Sequence, residues 1–385
     1  MLILAIVEKN RKIMIKKYIY ISTFLTLFCA FNSYANVNIA VVAPQSGSRA
    51  TFGQELWEGA KIAVDEINSN GGLLGKKLNL IMVDDRCDDR FAISTAQMIS
   101  LYNYSKGKTS LVIGAYCNNS FVNVAETYAK AQIFQIVPTP LNSTIGSCQH
   151  QGLIKMTGYL DQQGDAFYNY CQENFSNKKI GVVIDSRISG IQAIGEGVKQ
   201  HFISDGKEAY LSMFDFATYG DDYEKLAEKM EEEHVQVAYI LGDDDAIAEL
   251  VKEWKDINSQ AIVFTDIYMA RSTFQDVLGK NANGTYMFSL PTLKDNPEFT
   301  ETLVKLRLLG IEPKGLSVYG YSAIRLWEEL VKEADSFDYK DLAETTKNEK
   351  IDIGWGKTGF SKGIPDNTVG YRWYRFVDGE YTQVD

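Results

Sequence analysis

Two successive series of short β-branched runs, each alternating with a helical pattern, constrain this chain more than any other feature. Such alternation closes as βαβ units around a parallel sheet. In the first series Asn38 to Ala43, Lys77 to Asp84, Ser110 to Ala115 and Ile133 to Val137 read as strands, with helices at Thr51 to Asn68, Ala92 to Tyr102 and Ser120 to Lys130. In Thr51 to Asn68, Leu56, Ala60, Ala63, Val64 and Ile67 line one helical face, and Gly71-Gly72 stops it.

The alternation restarts after Ile154-Lys155-Met156. Strands are predicted at Lys179 to Asp185, Glu208 to Phe214, Val235 to Leu241 and Ala261 to Thr265, and helices at Asp165 to Phe175, Gln192 to Ser204, Asp222 to Glu233 and Asp245 to Asp256. A further segment, Gly284 to Leu290, precedes helices at Pro297 to Leu309 and Val318 to Ala334 and a Gly- and aromatic-rich tail from Ile353. Two such series mean two doubly wound lobes. No Pro/Ser-rich linker divides them, so short crossovers are expected to form a hinge. Ligands of open α/β sheets sit outside the carboxyl ends of strands. That rule selects the loops Ala43 to Thr51, Ala115 to Ser120, Val137 to Thr144, Asp185 to Gly190, Gly242 to Asp245 and Thr265 to Tyr268.

The N-terminus reads as an address. Met14-Ile15-Lys16-Lys17 is a basic start, Ile19 to Phe31 is apolar, and Ser33-Tyr34-Ala35 supplies a signal-peptidase site. The apolar run falls short of the roughly 20 residues of a membrane span. Residues 1–35 are therefore expected to be a cleaved signal peptide, with Met14 as an alternative start, and the protein to be exported. The whole chain of 385 residues carries a net charge of -11. An acidic surface without a basic, aromatic-interleaved run argues against nucleic acid as a partner. Past residue 35 four cysteines remain, Cys87, Cys117, Cys148 and Cys171. An even number in an exported chain reads as disulfides, with buried free thiols as the alternative.

Enzyme motifs fail on inspection. Gly107-Lys108-Thr109 and Gly356-Lys357-Thr358 lack the first glycine of a P-loop, since Tyr102 and Ile351 stand there. Gly195-Glu196-Gly197 lies within a helical pattern and lacks a third glycine. Tyr319 stands where a nucleophile elbow around Ser317 requires glycine. His150, His201 and His234 have no metal-ligand spacing, and Asp84-Asp85, Asp88-Asp89 and Asp243 to Asp245 read as strand-end and helix-cap carboxylates. Neither a catalytic residue, a metal nor a cofactor is expected.

A family pattern runs through the chain. Ala40-Val41-Val42-Ala43-Pro44-Gln45-Ser46-Gly47, Phe52-Gly53, Gly59-Ala60, Asp65-Glu66-Ile67-Asn68, Gly71-Gly72 and Gly75-Lys76-Lys77-Leu78 resemble the start of the leucine/isoleucine/valine-binding periplasmic proteins. Asp84-Asp85-Arg86-Cys87-Asp88, Val112-Ile113-Gly114 with Cys117, and Thr157-Gly158 followed by Asp161, Gln163 and Gly164 continue it. The resemblance implies a type I periplasmic binding protein: two doubly wound parallel-sheet lobes joined by three hinge crossovers. Lobe 1 would be 36–156 and 288–353, and lobe 2 would be 157–287 and 354–385. It implies a monomeric receptor that closes on an amino acid or related amide and delivers it to an ABC permease in the inner membrane. A urea or short-chain amide receptor, a ligand sensor without transport and a secreted hydrolase are the rivals.

Site residues follow from the same resemblance. It implies a Cys87–Cys117 disulfide and leaves Cys148 and Cys171 as a second pair. Asn118, Asn119 and Ser120 are expected to receive the solute carboxylate, with Thr139 nearby, and Asp266 the ammonium. Asp243 and Ser189 stand where leucine binders offer tyrosines, which points to a more polar, cationic or amide-bearing solute. Phe52, Trp57, Tyr116 and Tyr268 are the remaining aromatic wall candidates.

Overall fold

The computed structural model describes residues 36–47, 49–105, 108–117, 121–141, 150–160, 162–188, 190–266, 277–289, 300–308, 316–352, 357–361, 363–366, 372–378 and 380–384. The first series comprises β1 (Val37–Val42), α1 (Ala50–Ser69), β2 (Leu78–Val83), α2 (Asp89–Ser105), β3 (Thr109–Ile113), α3 (Phe121–Lys130), β4 (Phe134–Val137) and β5 (Leu153–Lys155). Its strands form one parallel sheet in the order β2-β1-β3-β4-β5.

The second series comprises α4 (Gln162–Asn174), β6 (Ile180–Ile184), α5 (Ile191–Ser204), β7 (Leu211–Asp215), α6 (Phe216–Tyr219), α7 (Tyr223–Glu232), β8 (Val237–Leu241), α8 (Asp244–Ile257), β9 (Ile262–Asp266) and β10 (Tyr286–Ser289). The chain continues through α9 (Thr300–Leu308), α10 (Leu316–Ala334) and α11 (Tyr339–Asn348), and then the short strands β11 (Ile351–Asp352), β12 (Lys357–Thr358), β13 (Phe360–Ser361) and β14 (Ile364–Pro365). It ends in β15 (Arg372–Val377) and β16 (Glu380–Gln383). The second sheet has the order β16-β15-β10-β9-β8-β6-β7, parallel from β7 to β10 and antiparallel at β15 and β16.

Each sheet is sandwiched by its own helices, as parallel strands require. In the first lobe Leu56, Ala60 and Ala63 of α1 and Leu326, Trp327 and Leu330 of α10 are fully buried against Ile39, Val41, Leu111 and Ile113. The two helices meet backbone to backbone. A Cβ at Gly59 would fall on the Ser317 carbonyl and one at Gly320 on the Leu56 carbonyl, so only glycine permits this approach. Polar contacts lock the pair: the Leu316 N–H donates to Glu55 Oε2 at 3.1 Å and the Tyr321 hydroxyl to Glu66 Oε2 at 2.9 Å. In the second lobe Phe167 stacks on Tyr239 at 4.5 Å, and Phe264 meets Trp373 edge-on at 4.9 Å.

Two expected crossover positions move. β10 pairs with β15 as far as Ser289, so the chain leaves the second sheet after residue 289 and not at 287/288. Ile351 and Phe360 are buried in the first core, and the Lys155 N–H donates to the Gly363 carbonyl. The return to the second sheet therefore falls after residue 366, beyond the expected 353/354. Strands of two residues show no periodicity, so nothing in the tail's pattern marks its allegiance. The segment 1–35, expected to be a signal peptide, lies outside the described residues.

Cys87 and Cys117 are bonded, 30 positions apart. Cys171 is instead a free thiol, fully buried beside Phe167 and Val198 in an apolar core, where it packs as a small hydrophobe. The pairing of Cys171 with Cys148 is thus overturned, and Cys148 itself lies outside the described residues. Beside the disulfide, Asp85 is 1% exposed: Oδ1 accepts the Cys87 N–H at 3.1 Å, while Oδ2 and the neighbouring Tyr128 hydroxyl have no hydrogen-bond partner among the described residues. Burial, opposed by the Cys87 N–H and aided by the Asp84 charge, pushes the Asp85 carboxyl from 3.8 up to about 6.

Replacing both Cys87 and Cys117 by alanine is expected to lower the unfolding free energy by about 3–4 kcal/mol, the loop-closure value for this separation, as read by urea denaturation. A carboxyl whose folded pKa is raised favours folding fully below its unfolded pKa, and that contribution is lost as pH rises through the folded value. Asp85→Asn is therefore expected to be more stable than wild type above about pH 6, by up to about 3 kcal/mol. The difference should vanish below about pH 4 in melting curves taken across that range.

Candidate functional site

In each sheet the strand order reverses once, at β1 in the first and at β6 in the second. A crevice opens outside the strand ends at such a switch point, and here the two crevices face each other across one cleft. All six selected loops reach it, through Arg49, Tyr116, Pro140, Ile188, Gly242 to Asp244, and Asp266.

The first-lobe wall is built on Asp84. Its Oδ1 accepts the backbone N–H groups of Gln45 at 2.8 Å and Arg86 at 2.9 Å, and its Oδ2 accepts the Ser46 hydroxyl at 2.9 Å. Burial would raise this carboxyl, but the Gln45 and Arg86 N–H groups, the Ser46 hydroxyl and the Arg86 charge outweigh it and hold it below its ordinary value. Asp84 thereby pins the loop that leads into α1. Phe52, in the first turn of α1, stacks on Tyr116 with ring centres 5.5 Å apart and planes at 18°. Tyr116 directly precedes the disulfide cysteine Cys117, which fixes that strand end. Thr139 is buried beside Pro140, and its hydroxyl has no hydrogen-bond partner among the described residues. Trp57 packs against the first core and does not line the cleft.

The second-lobe wall is aliphatic, from Leu160, Ile188, Ile191 and Ile194, with Gln163 and three carboxylates among them. Asp266, at the end of β9, is 5% exposed. Asp243 behaves differently. Half exposed at the N-cap of α8, it lies 3.9 Å from Arg49 of the other lobe, so its charge faces a protein cation. The wall that lacks two tyrosines is filled by leucine and isoleucines, and the added carboxylate at Asp243 has a partner in Arg49.

Helix ends supply the complementary charge. α1, α5 and α8 all begin at the cleft, and none of their N-cap residues makes a side-chain capping bond. Elsewhere Asp215, Asp222 and Asp338 cap α6, α7 and α11 in the usual way. At α1 the Ala50 and Phe52 N–H groups are taken by the Gly47 and Arg49 carbonyls, and at α8 the carboxylates of Asp243, Asp244 and Asp245 already sit at the positive end of the dipole; α5, preceded by Gly190 and without an acid in its first turn, presents that end to an anionic group.

Of the expected site residues, Phe52, Tyr116, Asp243 and Asp266 line this cleft and Thr139 adjoins it. Asn118, Asn119, Ser120, Ser189 and Tyr268 lie outside the described residues. Arg49, Ile188 and Asp244 fall inside the selected loops, although nothing in their residue type marks them. Leu160 and Gln163 come from the crossover and the first turn of α4, which a rule about strand ends cannot reach. His201 pairs with Asp165 at 2.7 Å on the second lobe's surface. Among the described residues no group of three or more His, Cys, Asp or Glu side chains could hold a metal ion.

Comparison with known proteins agrees with this architecture. The periplasmic binding protein family matches residues 36–377. An amino acid binding protein of Pseudomonas aeruginosa is 25% identical over 97% of this chain and 100% of its own length. The Leu/Ile/Val-binding protein homolog 1 of Brucella melitensis is 24% identical over 96% of this chain and 99% of its own. Among solved structures, the branched-chain amino acid transporter substrate binding protein LivJ of Streptococcus pneumoniae, in complex with isoleucine, superposes with a TM-score of 0.77 at 19% identity, covering 91% of this chain and 99% of that one. A solute binding protein of an ABC transporter from R. palustris, in complex with benzoate, superposes with a TM-score of 0.76 at 16% identity, covering 91% and 95%. These relatives are solute-binding proteins and not enzymes. With two doubly wound lobes, a facing pair of switch-point crevices and a family match over nearly all of its described length, the chain belongs to the periplasmic binding protein family.

Proposed function

We propose that this protein is the exported receptor of an ABC importer and binds an α-amino acid with an aliphatic or aromatic side chain between its lobes. The carrying observation is the composition of the cleft. Asp266 places a carboxylate where an ammonium would lie, the N-terminus of α5 faces a carboxylate, and the Phe52–Tyr116 stack with Leu160, Ile188, Ile191 and Ile194 faces an apolar side chain. A cationic group on the solute gains a charge-assisted hydrogen bond from the Asp266 carboxylate, which stabilises the closed arrangement. Residues 1–35 act as the signal peptide for the periplasm, and Asn118, Asn119 and Ser120 receive the carboxylate at the start of α3. The solute reaches an inner-membrane permease as cargo of the closed receptor.

Lobe closure follows from how the contacts are divided. The aromatic pair belongs to the first lobe and Asp266 to the second, so a solute touching both has differential affinity for the closed form. The space now left in the cleft is about 50 Å³, room for a few waters. Admitting an amino acid therefore requires the lobes or their lining side chains to move apart.

The test is a thermal-shift screen of the purified protein against the common amino acids, benzoate, urea and acetamide. Aliphatic and aromatic amino acids are expected to raise the melting temperature, by about 2.7 kcal/mol of added stability at a hundredfold excess over Kd. A shift with urea or acetamide alone would sink the proposal. Asp266→Asn is expected to weaken the bound amino acid by at least about tenfold in calorimetry, the scale of one charge-assisted hydrogen bond. Arg49→Ala, which removes a largely solvated pair, should change Kd by no more than about fivefold, and the change should disappear in high salt.

A further inference from the structure

We infer that the side-chain amide of Gln163 is the second lobe's hydrogen-bond donor to the solute carboxylate, an assignment that rests on the amino-acid receptor reading above. Gln163 sits in the first turn of α4, lines the cleft and is 4% exposed. Its Oε1 accepts the hydroxyl of Tyr239 at 3.1 Å. Tyr239 is itself fully buried and held by its stack on Phe167, so the amide is clamped from behind. With Oε1 occupied, Nε2 is the end left for the cleft, and its two N–H donors have no hydrogen-bond partner among the described residues. Facing the cleft, these donors are open to an acceptor on the solute, and the nearby Leu160, Ile191 and Ile194 side chains offer none.

Register places the donor beside the ammonium site. Tyr239 of β8 pairs with Phe264 of β9, and Asp266 lies two residues beyond Phe264. Side chains alternate along a strand, so Asp266 and Tyr239 share one face of the sheet, the face on which Gln163 is anchored. An α-amino acid carries its carboxylate on the carbon that bears its ammonium. A solute whose ammonium meets Asp266 thus brings a carboxylate oxygen to the adjacent donor. The first lobe can hold that carboxylate while the cleft is open, but Gln163 reaches it only on closure, which ties closure to an acid group on the solute. A buried donor of this kind rejects analogues that lack the acceptor.

The test is calorimetry with L-leucine, L-phenylalanine and their primary amides on wild type, Gln163→Leu, Gln163→Glu and the double variant Gln163→Leu/Tyr239→Phe. Gln163→Leu is expected to weaken the amino acids by about tenfold or more and the amides by less, because only the acids form a charge-assisted hydrogen bond with the Gln163 amide. Gln163→Glu should weaken the acids by about a hundredfold, through like-charge repulsion, while an amide can still donate to the new carboxylate. The double variant also removes the phenol that loses its Gln163 acceptor in Gln163→Leu. An unchanged melting temperature there, with the same fall in affinity, separates removal of the solute's hydrogen-bond donor from damaged packing. Equal weakening of acid and amide, or unchanged affinities in both single variants while wild type binds, would overturn the Gln163 assignment alone. Wild-type protein that binds none of the four probes would overturn the receptor reading and this assignment together.

Discussion

A parallel strand delivers the chain to a helix that starts at the strand's carboxyl end, and the first N–H groups of that helix have no partner within it. Every feature of the cleft depends on this polarity. With the carboxyl ends of two parallel sheets facing each other, several helix N-termini are forced to converge, and α1, α5 and α8 do so without side-chain caps. Three other helices, α6, α7 and α11, are closed by Asp215, Asp222 and Asp338. A protein of net charge -11 thereby keeps one cleft helix end, that of α5, clear of acids, while Asp243, Asp244 and Asp245 gather at the start of α8.

Much of this architecture is legible in the sequence because it is periodic. The face of Leu56, Ala60, Ala63, Val64 and Ile67 predicts α1 to within a residue at each end, and all five side chains are buried. The β-branched runs predict β1, β6, β8 and β9 for the same reason. What fails is short or non-repeating. β5, three residues long, and the two-residue strands of the tail carry too little pattern to register. α11 also escapes the sequence reading, although Asp338 caps it and Leu342, Ala343 and Thr346 line its buried face. The cysteine count is even and still misleads, because Cys171 belongs to a hydrophobic core where a thiol is simply a small apolar side chain.

The site is legible as positions and not as pairings. Strand-end logic finds Tyr116, Asp243 and Asp266 because their placement depends on the order of elements alone. Nothing along the chain states that Asp243 will meet Arg49, nearly two hundred residues away, across a gap between lobes. Counting residue types at aligned positions therefore overstates the charge available to a solute. The same separation hides Gln163, whose carbonyl is taken up by Tyr239 from a different strand, leaving a donor where the composition shows only one more polar residue.

The contacts that join the chain's return to the first lobe decide where it can bend. Gly59 and Gly320 let α1 and α10 pack backbone to backbone, and Glu55 and Glu66 bind Leu316 and Tyr321 across that seam. From residue 316 onward α10 is thus part of the first core, as Ile351 and Phe360 are further on. The second lobe is likewise self-contained, since β15 enters its sheet and Trp373 packs among Phe167, Tyr239 and Phe264. Close-packed cores of this kind shift as units. A closing motion of the kind proposed would bend the segments between the cores, leave both interiors unchanged, and alter only the contacts that span the cleft, the Arg49–Asp243 pair among them.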